Sequence, residues 1–154
     1  MSCRAALVLP AFLAACGWSS ADEQVLSSFF QHSRTRDKTL LADYATVAFE
    51  PRVDGSVERF EIERVEPEHR RPLSPTDDTA FAIQSLTPAG QPDVDLSGAT
   101  VEIGEKQLAV RVQLRTPGGR DETPVLLITM RHAVARRGDH AVQGRWLVTG
   151  VKQG

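Results

Sequence analysis

Gln107–Arg115 reads QLAVRVQLR. Apolar Leu108, Val110, Val112 and Leu114 alternate with Ala109, Arg111, Gln113 and Arg115, and strict period-two alternation marks a half-buried β-strand. Pro117-Gly118-Gly119 then turns the chain. Thr123–Ala135 follows with Leu126, Ile128, Met130 and Val134 on one parity. Arg136–His140 makes a second turn, and Ala141–Val151 carries Val142, Trp146 and Val148 on that same parity. Hairpins centred on the glycines set Val110 near Ile128, Ile128 near Val148, and Met130 across from Trp146. One face of this three-stranded meander is then apolar in every strand, so turn position and hydrophobic pattern agree on register. The same pattern makes Trp146 the expected packing anchor and turns Leu147 to the other face.

A chain of 154 residues with 41% hydrophobic and 25% charged residues has the composition of one ordinary globular domain. Its formal net charge of −2 supplies no field for nucleic acid or anionic lipid. Basic residues cluster at Arg34/Arg36/Lys38, Arg70/Arg71 and Arg136/Arg137, each in an expected turn or helix start, where a solvated charge is the ordinary reading. Both cysteines, Cys3 and Cys16, precede the expected domain, which excludes a disulfide framework there.

The N-terminus reads as an address. Met1–Arg4 is weakly basic, and Ala5–Ala15 is an apolar run interrupted by Pro10, too short to span a bilayer but suited to the core of a signal peptide. It ends in Leu13-Ala14-Ala15-Cys16, which looks like a bacterial lipobox. That resemblance implies cleavage before Cys16 and diacylglycerol on its thiol; the other reading is a plain secretory signal cut after Ser19-Ser20-Ala21. Gly17 stands where inner-membrane lipoproteins usually show aspartate, so the resemblance implies the outer membrane, periplasmic face. The expected organisation is a signal peptide over residues 1–15, a lipidated tether over 16–21, and a single domain over 22–154.

Ser20-Ala21-Asp22-Glu23 has the form of a helix capping box. Behind it Val25, Leu26, Phe29 and Phe30 form one stripe of an amphipathic helix, with Phe29 and Phe30 as core. A second helix is expected from about Asp37 to Tyr44. Val47 and Phe49 lie in extended chain, Val53-Asp54-Gly55 turns, and Val57–Val65 is a strand whose charges suit an edge or a largely solvated face. Pro67–Pro92 is irregular, with a short helix expected at Asp77–Leu86, and Val94–Ile103 offers one more strand.

Two helices, a hairpin, a variable middle and a meander closing on Gly144-Arg145-Trp146-Leu147-Val148 resemble the nuclear transport factor 2-like fold. The resemblance implies an α+β domain whose N-terminal helices pack on a curved, cone-like antiparallel sheet. A cystatin-like sheet with one helix across it is the competing architecture.

Enzymes of that superfamily, such as ketosteroid isomerases and scytalone dehydratases, place an acid/base set inside the cone, with a donor for the developing oxyanion. Here the inward parity is apolar except for His132, which is expected near the open end of its hairpin, tipping into solvent. Tyr44, the only tyrosine, lies on the apolar side of the second helix. Tyr44, Met130, His132 and Trp146 are therefore the candidate pocket residues, with no catalytic set assigned. Asp77-Asp78 and Asp93/Asp95 lack the glycine loop and distal glutamate of a calcium motif, and the histidines never pair at zinc-ligand spacing. No metal or cofactor is expected. The sequence thus points to a lipid-anchored, non-enzymatic domain that binds an apolar small molecule or an envelope partner, with a homodimer through the sheet open. The alternative is an isomerase or hydro-lyase using the cone.

Overall fold

The computed structural model describes residues 20–154, so the signal segment, Cys16 and most of the tether lie outside the described residues. Ten elements follow in order: α1 (Ser20–Thr35), α2 (Lys38–Leu41), β1 (Ser56–Val65), β2 (His69–Pro72), α3 (Thr79–Leu86), β3 (Thr100–Arg115), β4 (Asp121–Glu122), β5 (Val125–Arg137), β6 (His140–Gln143) and β7 (Leu147–Gln153). The architecture is α+β, with N-terminal helices and a strongly curled antiparallel sheet. β3 is its spine. It pairs with β1 on one side and β5 on the other, with β2 continuing the β1 side at one end and β4 the β5 side at the other. β6 and β7 share the far side of β5.

Of the strand expected at Val94–Ile103 only Thr100–Ile103 forms, as the start of β3, a run of 16 residues, and residues 94–99 are not strand. Gln107–Arg115 is the second half of that run. Its partner in β5 is displaced by two residues from the expected pairing: Leu108 faces Ile128 and Val110 faces Leu126. Parity survives because the displacement is even. The cause is the connection, which is longer than a tight hairpin. Thr116–Arg120 closes the turn, and Asp121/Glu122 pair back onto Arg115/Leu114 before β5 begins. Across β5 and β7 the pairing is Met130 with Val148, and a bulge after Thr129 sets Ile128 against Val151. No strand forms at 45–51; a single parallel bridge joins Ala45 to Val148, with Thr46 N–H donating to the Val148 carbonyl and Val148 N–H to that of Tyr44. The second helix is one turn, capped by the Asp37 carboxylate on the Leu40 amide, and Tyr44 falls beyond it.

Two cores lie on opposite faces of the same strands. On the even parity, Leu108, Val110, Val112, Leu126, Ile128, Met130 and Val148 pack under α1, which contributes Leu26, Phe29 and Phe30. Phe30 is the hub, meeting Phe29, Phe49 and Phe60 at ring distances of 5.1, 5.9 and 5.6 Å. On the odd parity, Ile103, Ala133 and Leu147 pack under α3 through Phe81, Ala82 and Leu86. Leu147 is therefore fully buried while Trp146 is only partly so, the reverse of the expected ranking. The parity was read correctly; α3 covers the face that the meander pattern leaves open.

Candidate functional site

The even face of the sheet turns polar where β3 and β5 run beyond α1's apolar stripe. Gly104 faces His132 and Lys106 faces Met130 in the β3–β5 register. His132 is 2% exposed, a correction to the solvent-tipped position expected from the hairpin. Its Nε2 lies 2.7 Å from Glu68 Oε1, on the connection between β1 and β2, and Arg70 Nε donates to the same oxygen at 2.8 Å. Gly104 makes this approach feasible: a Cβ there would stand 2.3 Å from Glu68 Oε1 and 2.5 Å from His132 Nε2. Burial pushes the Glu68 carboxyl up, but hydrogen bonds from His132 and Arg70 outweigh it and leave the group below the ordinary value. An ionised carboxylate only accepts, so the His132 nitrogen that faces it, Nε2, is the donor of this hydrogen bond.

Trp146 stacks on His132 with ring centroids 3.9 Å apart and planes 21° from parallel. The Lys106 ammonium lies 4.2 Å from the Trp146 ring centroid and 2.7 Å from Asp22 Oδ1 in the first turn of α1. Both partners of that ion pair are nearly buried, at 12% and 5% exposure. Asp22 was expected only as part of the capping box; the Ser20 side chain of that box lies outside the described atoms. The resulting row, Glu68–His132–Trp146–Lys106–Asp22, runs from the β1–β2 connection across the even face of the sheet to the start of α1. His132 Nδ1 is buried and finds no partner among the described residues. An oriented carboxylate–imidazole pair is chemically a general base. Here its free nitrogen is sealed, so what the arrangement does is fasten α1 to the sheet.

Of the four candidate pocket residues, the structure joins two. His132 and Trp146 stack, Met130 is buried in the α1 core, and Tyr44 stacks on His32 at 5.6 Å. None of the grooves described below is lined by any of the four. Gly144-Arg145 works structurally beside them. A Cβ on Gly144 would press onto the Ser85 backbone and hydroxyl, while Arg145 donates to the Gln84 and Thr87 carbonyls at the end of α3 and to Asp43. Asp78, at the start of α3, receives a two-pronged pair from Arg71 and the Ser74 amide at 2.8 Å. The Arg71 hydrogen bonds, against the pull of burial, hold its carboxyl at about 2.

Three of the surface grooves flank α3. One of about 570 Å³ lies between the end of α1, α2 and the segment 45–52. One of about 430 Å³ borders it along Ala42 and Gln84 and reaches Arg145. The smallest, about 210 Å³, is an apolar crevice on the α3 face lined by Leu86, Val94, Leu96, Ala99, Ala135 and Val142 among others. Among the described residues no cluster of His, Cys, Asp or Glu is arranged to hold a metal ion, and no helix is long and apolar enough to cross a membrane. Comparison with protein-family models, curated proteins and solved structures found no match to this chain.

Proposed function

We propose that the chain is an outer-membrane lipoprotein, anchored through Cys16 on the periplasmic face, whose domain is a binding module and not a catalyst. The Leu13–Cys16 pattern supports the anchor. The observation that carries the binding reading is the contrast between the buried His132 ring, which lines none of these grooves, and the open, mostly apolar crevice under α3. An isomerase or hydro-lyase needs the reverse, a base open to ligand space. A crevice of about 210 Å³ is small on the scale of ligand sites, which suits a compact apolar molecule or one side chain of an envelope partner. The finer architecture we assign is the nuclear transport factor 2-like cone, supported by the element order and by α1 packing on one face of the curled sheet.

Two measurements test this. Metabolic labelling with palmitate is expected to mark the wild type and not Cys16→Ala; equal labelling removes the anchor. Native mass spectrometry of the protein extracted from membranes is expected to show a small molecule released on unfolding, and Ala99→Trp, which fills the crevice, is expected to lose it. Retention of that molecule in Ala99→Trp would move the site elsewhere.

A further inference from the structure

The C-terminal end of α1 breaks a local rule. Asp37 N–H donates to the His32 carbonyl at 3.1 Å and Arg36 N–H to that of Ser33 at 3.2 Å, the paired bonds of a Schellman cap. Arg36 occupies the position in that cap that must turn left-handed, with φ of 57°, and no other non-glycine residue among the described ones has positive φ. Glycine holds this conformation without the crowding that a Cβ brings. A long cationic side chain at a position suited to none points to a use for that side chain.

Arg36 lines the groove of about 570 Å³, and so do Lys38 and Arg52. Arg64, Arg70, Arg71, Arg111 and Arg145 each meet a carboxylate. Among the described residues none of the three groove cations does, although Glu50 lines the same groove. The groove also passes Val47 and Ala48, whose backbone amides find no acceptor among the described residues, whereas Thr46 and Phe49 on either side donate to Val148 and Ser33. Unpaired amides beside unpaired cations favour an anion. Leu41, Ala45 and Val47 supply apolar wall, and the volume falls within the range of small-molecule sites.

We infer that this groove binds an anionic amphiphile, with its carboxylate or phosphate head among Arg36, Lys38 and Arg52 and its apolar body against Leu41, Ala45 and Val47. The inference rests on the binding-module reading and extends it to a ligand class and a second site; it does not need the lipid anchor.

Calorimetric titration of the full chain at low salt tests it with octyl phosphate, octanoate, octanol and inorganic phosphate as probes. Octyl phosphate and octanoate are expected to bind, inorganic phosphate more weakly, and octanol least. Vesicles of anionic phospholipid separate the two sources of such a head: binding there as well assigns a bilayer lipid, and binding of octyl phosphate alone a free amphiphile. Arg36→Gly is the decisive variant. It is expected to raise the thermal midpoint, because glycine suits the cap, and to weaken octyl phosphate by more than about tenfold. Lys38→Gln and Arg52→Gln are expected to weaken it too, with Arg111→Gln unchanged. Undiminished affinity in Arg36→Gly, or octanol binding as tightly as octyl phosphate, overturns the site. Equal affinity for inorganic phosphate overturns the amphiphile. Cys16→Ala is expected to bind octyl phosphate like the wild type, so loss of the anchor reading leaves this one standing.

Discussion

At the scale of single residues, Gly104 and Asp78 carry the sharpest consequences. A methyl at Gly104 meets two atoms already in hydrogen-bond contact, so Gly104→Ala should cost about 1–3 kcal/mol through overpacking. In a His132→Ala background one of those two atoms is gone and the cost should shrink. Urea denaturation of the four proteins in that cycle measures the coupling; additive costs would mean that Glu68 and His132 do not share the space over Gly104. Asp78 is 2% exposed, and its carboxyl sits at about 2 against an ordinary 3.8. A folded value below the unfolded one adds stability that is complete above about pH 4 and is lost as pH falls toward 2, worth about 2 kcal/mol at neutral pH. Asp78→Asn should therefore cost about that much in urea at pH 7 and little at pH 2; an equal cost at both would remove the ion pair as the cause. Neither residue announces itself in sequence. Glu68 comes from a connection far from His132 in the chain, and nothing local to His132 shows that a carboxylate covers it.

Among the elements, β7 is where reading and structure differ most usefully. Leu147 is 0% exposed under α3, and Trp146 is only partly buried. Leu147→Ala should then cost about 2–5 kcal/mol, and no less than Trp146→Ala. Urea unfolding of both variants decides it, and a Leu147→Ala cost below about 1 kcal/mol would mean that α3 does not seal this face. Period two made β3, β5 and β7 legible because it reports which residues share a face. It does not report what lies over each face. The signal for α3's seat was present in Ile103, Ala133 and Leu147, apolar residues on the parity the meander assigned to solvent, and in the short helix expected at Asp77–Leu86. Register was legible only to within two residues, because the Asp121/Glu122 pairing lengthens a connection that reads as a tight turn. β1 matches its expectation as an edge: two bulges and the charges Glu58, Arg59, Glu61, Glu63 and Arg64 blunt it against pairing with another copy.

For the molecule as a whole, both cysteines precede Ser20, so nothing in the described fold depends on a thiol. The urea midpoint should not move when dithiothreitol is added, and a shift would reveal a disulfide-linked contact between copies. The two cores are separate in composition but share β3 and β5, which should make their unfolding one transition; distinct hydrogen-exchange classes for the α1 and α3 cores would show otherwise. β3 also has the property of a reading frame. Its first half buries odd residues beneath α3 and its second half even residues beneath α1. Adding one residue between Gly104 and Gln107 would leave either half in phase but never both, since one step along a strand exchanges its faces. Two added residues restore phase at the expense of pairing. Length variation compatible with this fold therefore belongs in the turns before and after β3, and a one-residue insertion inside it should abolish folding where the same insertion at Gly118 is tolerated.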